Sequence, residues 1–193
     1  MSRLHARTWD NGILIEDTTD WFAQDKLGNV WYMGESTKSF TYDGSGKLIG
    51  TDTSGSWRTG VHGAKPGFIM PAHPAVGLNY FQEFSPTDQA EDQAQILSVS
   101  KSVKVPVGTF SNVMQTLETS PLEPDVRENK YYAKGVGIIL DNDELNSAGI
   151  PLNSAALVSV TNAVPLPPAL WVGVCMLALL AVVPWKAVLK SAA

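Results

Sequence analysis

The sequence predicts a mainly β protein, in which an antiparallel meander forms a curved sheet, sandwich or barrel, followed by one C-terminal transmembrane helix. Three observations predict this fold. Short runs of aromatic and β-branched residues recur about every ten residues, and turns rich in Gly, Asp and Asn separate them. No long helical pattern occurs before residue 164. A single uncharged apolar run then occupies residues 169–185.

The first strands are predicted between residues 9 and 60. Pairs such as Trp31/Met33 and Phe40/Tyr42 alternate at the two-residue period of a sheet face. Residues 60–79 contain four Gly and three Pro. Because Pro fixes φ and lacks an N–H donor, this stretch is predicted to be an ordered loop.

The second half of the body continues the same pattern. Strands are predicted at 80–84, 96–105, 113–119, 127–133 and 138–140, with a helical turn within 87–95. Loops are predicted at 120–126 and at the acidic segment 141–144, and residues 157–161 could close the sheet. About nine or ten short strands favour an all-β domain over residues 1–160.

The charge balance and the cysteine content exclude several classes of protein. Residues 1–163 carry twelve basic and nineteen acidic side chains, and two lysines follow, for a net charge of −5. An acidic body argues against nucleic acid as a partner. Cys175 is the only cysteine, so neither an intrachain disulfide nor a zinc site built on Cys pairs is possible. No nucleophile elbow or phosphate-binding glycine loop is present, so we expect a non-enzymatic protein without a cofactor.

The C-terminal run has the properties of a membrane anchor. As a helix, residues 169–185 span ~25 Å at ~1.5 Å per residue, and the flanking residues extend this to the roughly 30 Å of a bilayer core. Trp171 and Trp185 lie near the two ends, where indole rings favour the interface. Lys186 and Lys190 follow on one side only, which predicts a cytoplasmic C-terminus and an extracytoplasmic body. A soluble buried or amphipathic helix is the alternative.

The residues before the span form a recognisable motif, Val164, Pro165, Leu166 and Pro167. With the apolar run and the lysines, this order resembles the PEP-CTERM class of bacterial sorting tails, in its VPLPA variant. The resemblance implies a Pro-rich linker and sorting motif at 161–168, a transmembrane helix with a basic cytoplasmic end at 169–190, and processing by an exosortase-like enzyme. It implies a single-pass protein of the bacterial inner membrane, with the body in the periplasm.

Members of that class begin with a signal peptide. The start of this sequence, MSRLHARTWDNG, has no apolar h-region. We therefore expect the native protein to carry residues before Met1; the alternative is that the tail is only a membrane anchor, whose apolar span itself directs insertion. The body also resembles an uncharacterised domain of exported bacterial proteins, through residues 21–35, 55–77, 105–124 and 131–140. That family has no assigned reaction, so this resemblance implies an exported β-domain and no catalytic residue.

Weak candidates for a metal site lie in two loops. His62, Met70 and His73 share the Gly- and Pro-rich stretch, and His with Met is a reasonable ligand set for copper. Loop histidines beside Gly and Pro more often stabilise the turn by hydrogen bonds. The acidic segment 141–144 offers oxygen ligands for calcium, although an acidic hairpin turn is the simpler interpretation.

Tryptophans offer a further candidate surface. Trp9, Trp21, Trp31 and Trp57 lie in or near predicted strands, where they either pack in the core or line a lipid or sugar site. The leading hypothesis is a non-enzymatic, membrane-anchored envelope protein that acts as a surface protein or an accessory subunit of a membrane complex. The alternatives are a carrier of an apolar, lipid-like ligand within the β-domain and, last, a copper-binding or hydrolytic enzyme.

Overall fold

The computed structural model describes residues 1–159 of the 193-residue chain. These residues form thirteen β-strands and one short 3-10 helix, Pro86–Asp88. The first eight strands are β1 (Ser2–Asp10), β2 (Ile13–Gln24), β3 (Val30–Tyr42), β4 (Leu48–Asp52), β5 (Trp57–Arg58), β6 (Lys65–Met70), β7 (Asn79–Phe81) and β8 (Glu83–Phe84). The other five are β9 (Gln93–Val105), β10 (Gly108–Thr119), β11 (Arg127–Ala133), β12 (Gly137–Leu145) and β13 (Pro151–Ala156).

The strands form two antiparallel sheets. The first has the order β1-β2-β3-β6-β8, and β4 and β5 also pair with β3. The second has the order β13-β12-β11-β10-β9-β7. The predicted mainly β, antiparallel fold is therefore confirmed for the described residues. The predicted linker, sorting motif and C-terminal helix lie outside them. Within residues 1–159, no helix has the length and apolar character needed to cross a membrane.

The buried apolar side chains form three clusters. One lies in the second sheet, where Ile139 and Leu157 are fully buried. Another lies under β3 and β5 and contains Tyr32 and Trp57. The third contains Ile96 and is joined to the second by Ile69 of β6, which packs against both. The second and third clusters are thus joined at β6, where the two sheets meet.

A glycine marks that junction. Gly67 of β6 lies directly against the backbone carbonyls of Phe81 and Gln82, and a Cβ atom at this position would overlap both oxygens. Phe81 ends β7 of the second sheet, whereas Gly67 pairs with Tyr32 of the first sheet. The close approach of these two backbones therefore holds the sheets together at one end.

Three segments differ from the sequence prediction. β1 begins at Ser2 rather than near residue 9, and β6 forms inside the predicted loop 60–79. In β6, Phe68 pairs with Trp31, and the two rings contact each other in a tilted arrangement with centroids 4.1 Å apart. The predicted acidic turn 141–144 is instead the second half of β12, paired with β13. Each difference reflects strand pairing that local composition does not show, since β1 pairs with β2, β6 with β3 and β12 with β13.

Replacement of Gly67 by Ala should destabilise the domain by about 2–3 kcal/mol, because the new methyl group forces the carbonyls of Phe81 and Gln82 away. Gly44 is the matched control, since a Cβ atom there meets nothing within 4 Å. Urea unfolding followed by circular dichroism measures both variants. Equal midpoints for Gly67→Ala and Gly44→Ala would contradict the close packing at the junction.

Candidate functional site

A cavity of about 340 Å³ lies between the two sheets. β1, β2, β3 and β6 of the first sheet line one side, and β10, β11 and β12 of the second sheet line the other. Part of the wall is apolar and part is rich in carboxyl groups. The apolar part contains Leu4, Phe22, Val30, Ile69, Met70 and Ile138, and the carboxyl groups belong to Asp20, Glu35, Glu83, Asp92, Glu118 and Asp141.

The best-satisfied carboxylate in the cavity is that of Glu118, which is only 4% exposed. Its Oε1 accepts hydrogen bonds from Gln82 Nε2 at 2.9 Å, Thr116 Oγ1 at 2.8 Å and the Tyr132 hydroxyl at 2.9 Å. Its Oε2 lies 3.0 Å from Lys130 Nζ. Charge-assisted bonds of this kind are stronger than neutral ones, so the Glu118 side chain is held in one orientation.

Lys130 is the cation of the cavity, and strand register explains its position. It lies opposite Thr116 of β10 and Asp141 of β12, on the face that points between the sheets. Its Nζ is 3.0 Å from an oxygen of Glu118 and 3.0 Å from one of Glu128. Burial alone would lower the pKa of Lys130, but Glu118, Asp141 and Glu128 hold it well above its usual value. Lys130 is therefore charged and already paired.

Asp20 and Glu35 meet at one phenol. They lie opposite each other on β2 and β3, and Tyr32 Oη is within hydrogen-bond distance of Asp20 Oδ1 and 2.7 Å from Glu35 Oε2. A phenol has one proton, so it donates to only one of them, and the other bond requires a protonated carboxyl group. Burial raises the pKa of Asp20 and raises that of Glu35 to about 7. This group of three therefore holds an extra proton near neutral pH.

The remaining carboxyl groups are similarly uncompensated. Burial, followed by the neighbouring charges of Glu35 and Asp92, raises the pKa of Glu83 to about 9. Burial raises the pKa of Asp141 to about 7, although Lys130 opposes the change. The Oδ1 atom of Asp141 is buried without a hydrogen-bond partner among residues 1–159. The cavity thus combines an apolar wall with carboxyl groups that lack counter-ions.

The three sequence-predicted copper candidates have different surroundings. His62 Nδ1 lies 2.8 Å from Asp88 Oδ1 at the surface, which fits the turn-stabilising interpretation. Met70 lines the cavity, and His73 is exposed in the turn after β6. In the described part of the chain, no group of three or more His, Cys, Asp and Glu residues is arranged to hold a metal ion.

The tryptophans, and the residues of the acidic segment, also have different surroundings. Trp57 is 3% exposed and packs edge-on against Tyr32, as core packing predicts, whereas Trp9 is 48% exposed. Of the acidic segment, Asp141 faces the cavity and Glu144 is exposed. Sequence reasoning singled out none of Asp20, Glu35, Glu83, Asp92 and Glu118. A usable signal was present in β2, where Asp20 has the same parity as the inward-facing Phe22.

Comparisons with known proteins do not assign a function to this chain. No protein-family model matches the chain, and no curated protein is similar to it. A solved structure described as a "putative lipoprotein" from Parabacteroides distasonis aligns with 77% of this chain and 88% of its own, with 12% sequence identity and a TM-score of 0.28. A likeness at that TM-score carries no argument about fold or ligand.

Replacement of Lys130 by Met should cost about 3–5 kcal/mol of folding free energy, because Glu118 is left as a buried charge without its cation. Lys134→Met, at an exposed site in the β11–β12 turn, should be nearly neutral. Adding Glu118→Gln to Lys130→Met should recover part of the loss. The unmodified protein, Lys130→Met, Glu118→Gln and the double variant form a cycle measured by urea unfolding, and additive losses would contradict the proposed pairing.

Proposed function

We propose that this chain is a non-enzymatic binding protein of the bacterial cell envelope, whose β-domain carries a small ligand with an apolar body between its two sheets. The cavity of about 340 Å³ is the observation that supports this proposal. Small-molecule sites occupy roughly 300–1,000 Å³ and combine apolar walls with a few polar groups. The wall combines the apolar side chains of Phe22, Ile69 and Ile138 with the carboxyl groups of Asp20 and Glu35, and so has this composition.

The energetic cost of the cavity favours a functional role. Protein interiors are close-packed, with few voids larger than a water molecule. Carboxyl groups whose pKa is raised by burial weaken folding at neutral pH, because the unfolded chain releases their protons more readily. Glu35, Glu83 and Asp141 are all in this state. Apolar residues in their place would pack more stably, so a binding role explains why they occupy the site.

The envelope part of the proposal rests on the sequence of the tail. The uncharged run 169–185, bounded by Trp171 and Trp185 and followed by Lys186 and Lys190, inserts into the lipid bilayer as a single-pass anchor. The motif 164–167 is the recognition site for an exosortase-like processing enzyme. The body then lies on the periplasmic side of the inner membrane.

A role as a subunit of a membrane complex is the second candidate. It is favoured by large apolar side chains exposed near the tips of two neighbouring hairpins, Trp9, Ile13, Leu48 and Ile49. The Tyr42 hydroxyl donates to the Leu14 carbonyl at 2.9 Å, which joins β2 to the end of β3 beside them. Exposed apolar patches of this kind are typical of protein contacts.

Binding of the uncharged dye Nile red tests the carrier proposal. Val136 lines the cavity at the β11–β12 turn, so Val136→Trp should fill the space and weaken binding about tenfold or more. Val107 lies in the β9–β10 turn and is 37% exposed. Val107→Trp is the matched control and should bind the dye normally. Absence of dye binding by the unmodified protein, or equal binding by both variants, would refute a ligand cavity at this place.

Membrane fractionation of the full chain tests the anchor. The chain should remain in the pellet after alkaline extraction, and the double variant Leu177→Lys/Leu180→Lys should not, because each charge at a helix centre costs about 2.5–3.5 kcal/mol to insert. Intact mass then reports processing, since loss of the tail near Pro167 supports sorting. A full chain that stays dissolved without detergent or lipid contradicts the envelope assignment.

A further inference from the structure

The charges of the cavity wall do not balance. Six carboxyl groups line it, against two basic side chains, Arg3 and Lys130. Arg3 belongs to the edge strand β1 and is exposed. Lys130 is held by both Glu118 and Glu128 at 3.0 Å. The other five carboxyl groups make no salt bridge within residues 1–159, and they belong to Asp20, Glu35, Glu83, Asp92 and Asp141.

This excess of carboxyl groups determines which polar head group of a ligand the cavity can accept. An acidic head group, such as a carboxylate or phosphate, would need a free cation inside the cavity, and the charge of Lys130 is already balanced by Glu118 and Glu128. It would also approach carboxyl groups of like charge in a poorly solvated space, where repulsion is strong. A protonated amine is attracted instead, because every unpaired carboxyl group is an acceptor for its N–H groups.

The geometry also places the head group relative to the apolar wall. Phe22 and Tyr32 stack with centroids 5.0 Å apart, beside the point where Asp20 and Glu35 converge on the phenol. Aromatic faces next to carboxylates are favourable surroundings for a cation. Across the cavity, Asp141 Oδ1 is a buried acceptor with no donor among the described residues.

We propose that the ligand is an amphiphilic amine, whose protonated nitrogen binds Asp20 and Glu35 and whose apolar body lies against Phe22, Val30 and Ile69. This inference rests on the proposed carrier function and adds the chemical class of the ligand. Glu83 and Asp141 supply the further negative charge that retains the cation.

Binding is therefore linked to proton release. The pKa of Glu35 is about 7 and that of Glu83 about 9 because both are buried among like charges. An ammonium group favours the ionised carboxylates, so its entry expels protons, and acid weakens binding. The charged and titratable groups that face Glu35 and Glu83 are Glu16, Asp20, Tyr32, Asp92 and Lys130 and, farther along the wall, Arg3, Glu118, Tyr132 and Asp141.

Calorimetric titration of the full chain in lipid nanodiscs tests the proposal, with empty nanodiscs as the blank. The probes are hexylamine, hexanol and hexanoate, which share a chain and differ in head group. Hexylamine should bind about tenfold more tightly than hexanol, and hexanoate least. The affinity for hexylamine should rise about tenfold between about pH 5.5 and pH 8, a range over which the amine stays protonated. The affinity for hexanol should not change over this range.

Variants separate the head-group site from the cavity. Glu35→Gln and Asp20→Asn keep the hydrogen-bonding shape and should weaken hexylamine binding about threefold to tenfold without affecting hexanol. Glu123→Gln, on the exposed loop 120–126, is the control. If hexylamine and hexanol bind equally tightly and Val136→Trp abolishes the binding of both, the carrier function is supported and the proposal of an amine ligand is overturned. Tightest binding of hexanoate would overturn it as well, and no binding of any probe would overturn both proposals.

Discussion

The interaction on which the rest of the structure depends is the buried contact of Glu118 with Lys130 and Gln82. Glu118 lies on β10, Lys130 on the neighbouring β11, and Gln82 at the kink between β7 and β8. The backbone carbonyl of Gln82 rests against Gly67 of the first sheet. One carboxylate therefore fixes two strands of the second sheet and the segment through which that sheet contacts the first.

The cavity is a consequence of this arrangement. The sheets are joined at β6, and farther away their facing surfaces carry carboxyl groups where a sandwich normally carries interdigitating apolar side chains. Like charges resist closer packing, so space remains between Asp20 and Glu35 on one side and Asp141 on the other. A binding site of the proposed kind would lower stability, as functional sites commonly do.

The proposed function unites the cavity with the tail. A domain held at the bilayer by residues 169–185 lies close to a reservoir of amphiphilic molecules, and the apolar wall formed by Phe22, Val30 and Ile69 suits their chains. An acidic interior selects among them by head group. In this scheme the tail determines where the ligand is met, and the carboxyl groups determine which ligand is kept.

The sequence by itself determined the class of fold and several exclusions. Alternation at Trp31/Met33 and Phe40/Tyr42 predicted strands that the structure contains, because side-chain parity is a local property of an extended chain. The single cysteine excluded an intrachain disulfide in this sequence, because that conclusion follows from composition and requires no three-dimensional structure. The C-terminal helix and its membrane remain predictions, because they lie outside the described residues.

Only the tertiary structure decided where the site is. Asp20 meets Glu35, and Lys130 meets Thr116 and Asp141, through the registers of paired strands. Pairing with β3 converts part of the loop 60–79 into β6, and pairing with β13 makes the acidic segment 141–144 part of β12. Local composition contains no information about register, so five of the six cavity carboxyl groups could not be singled out before their strands were paired.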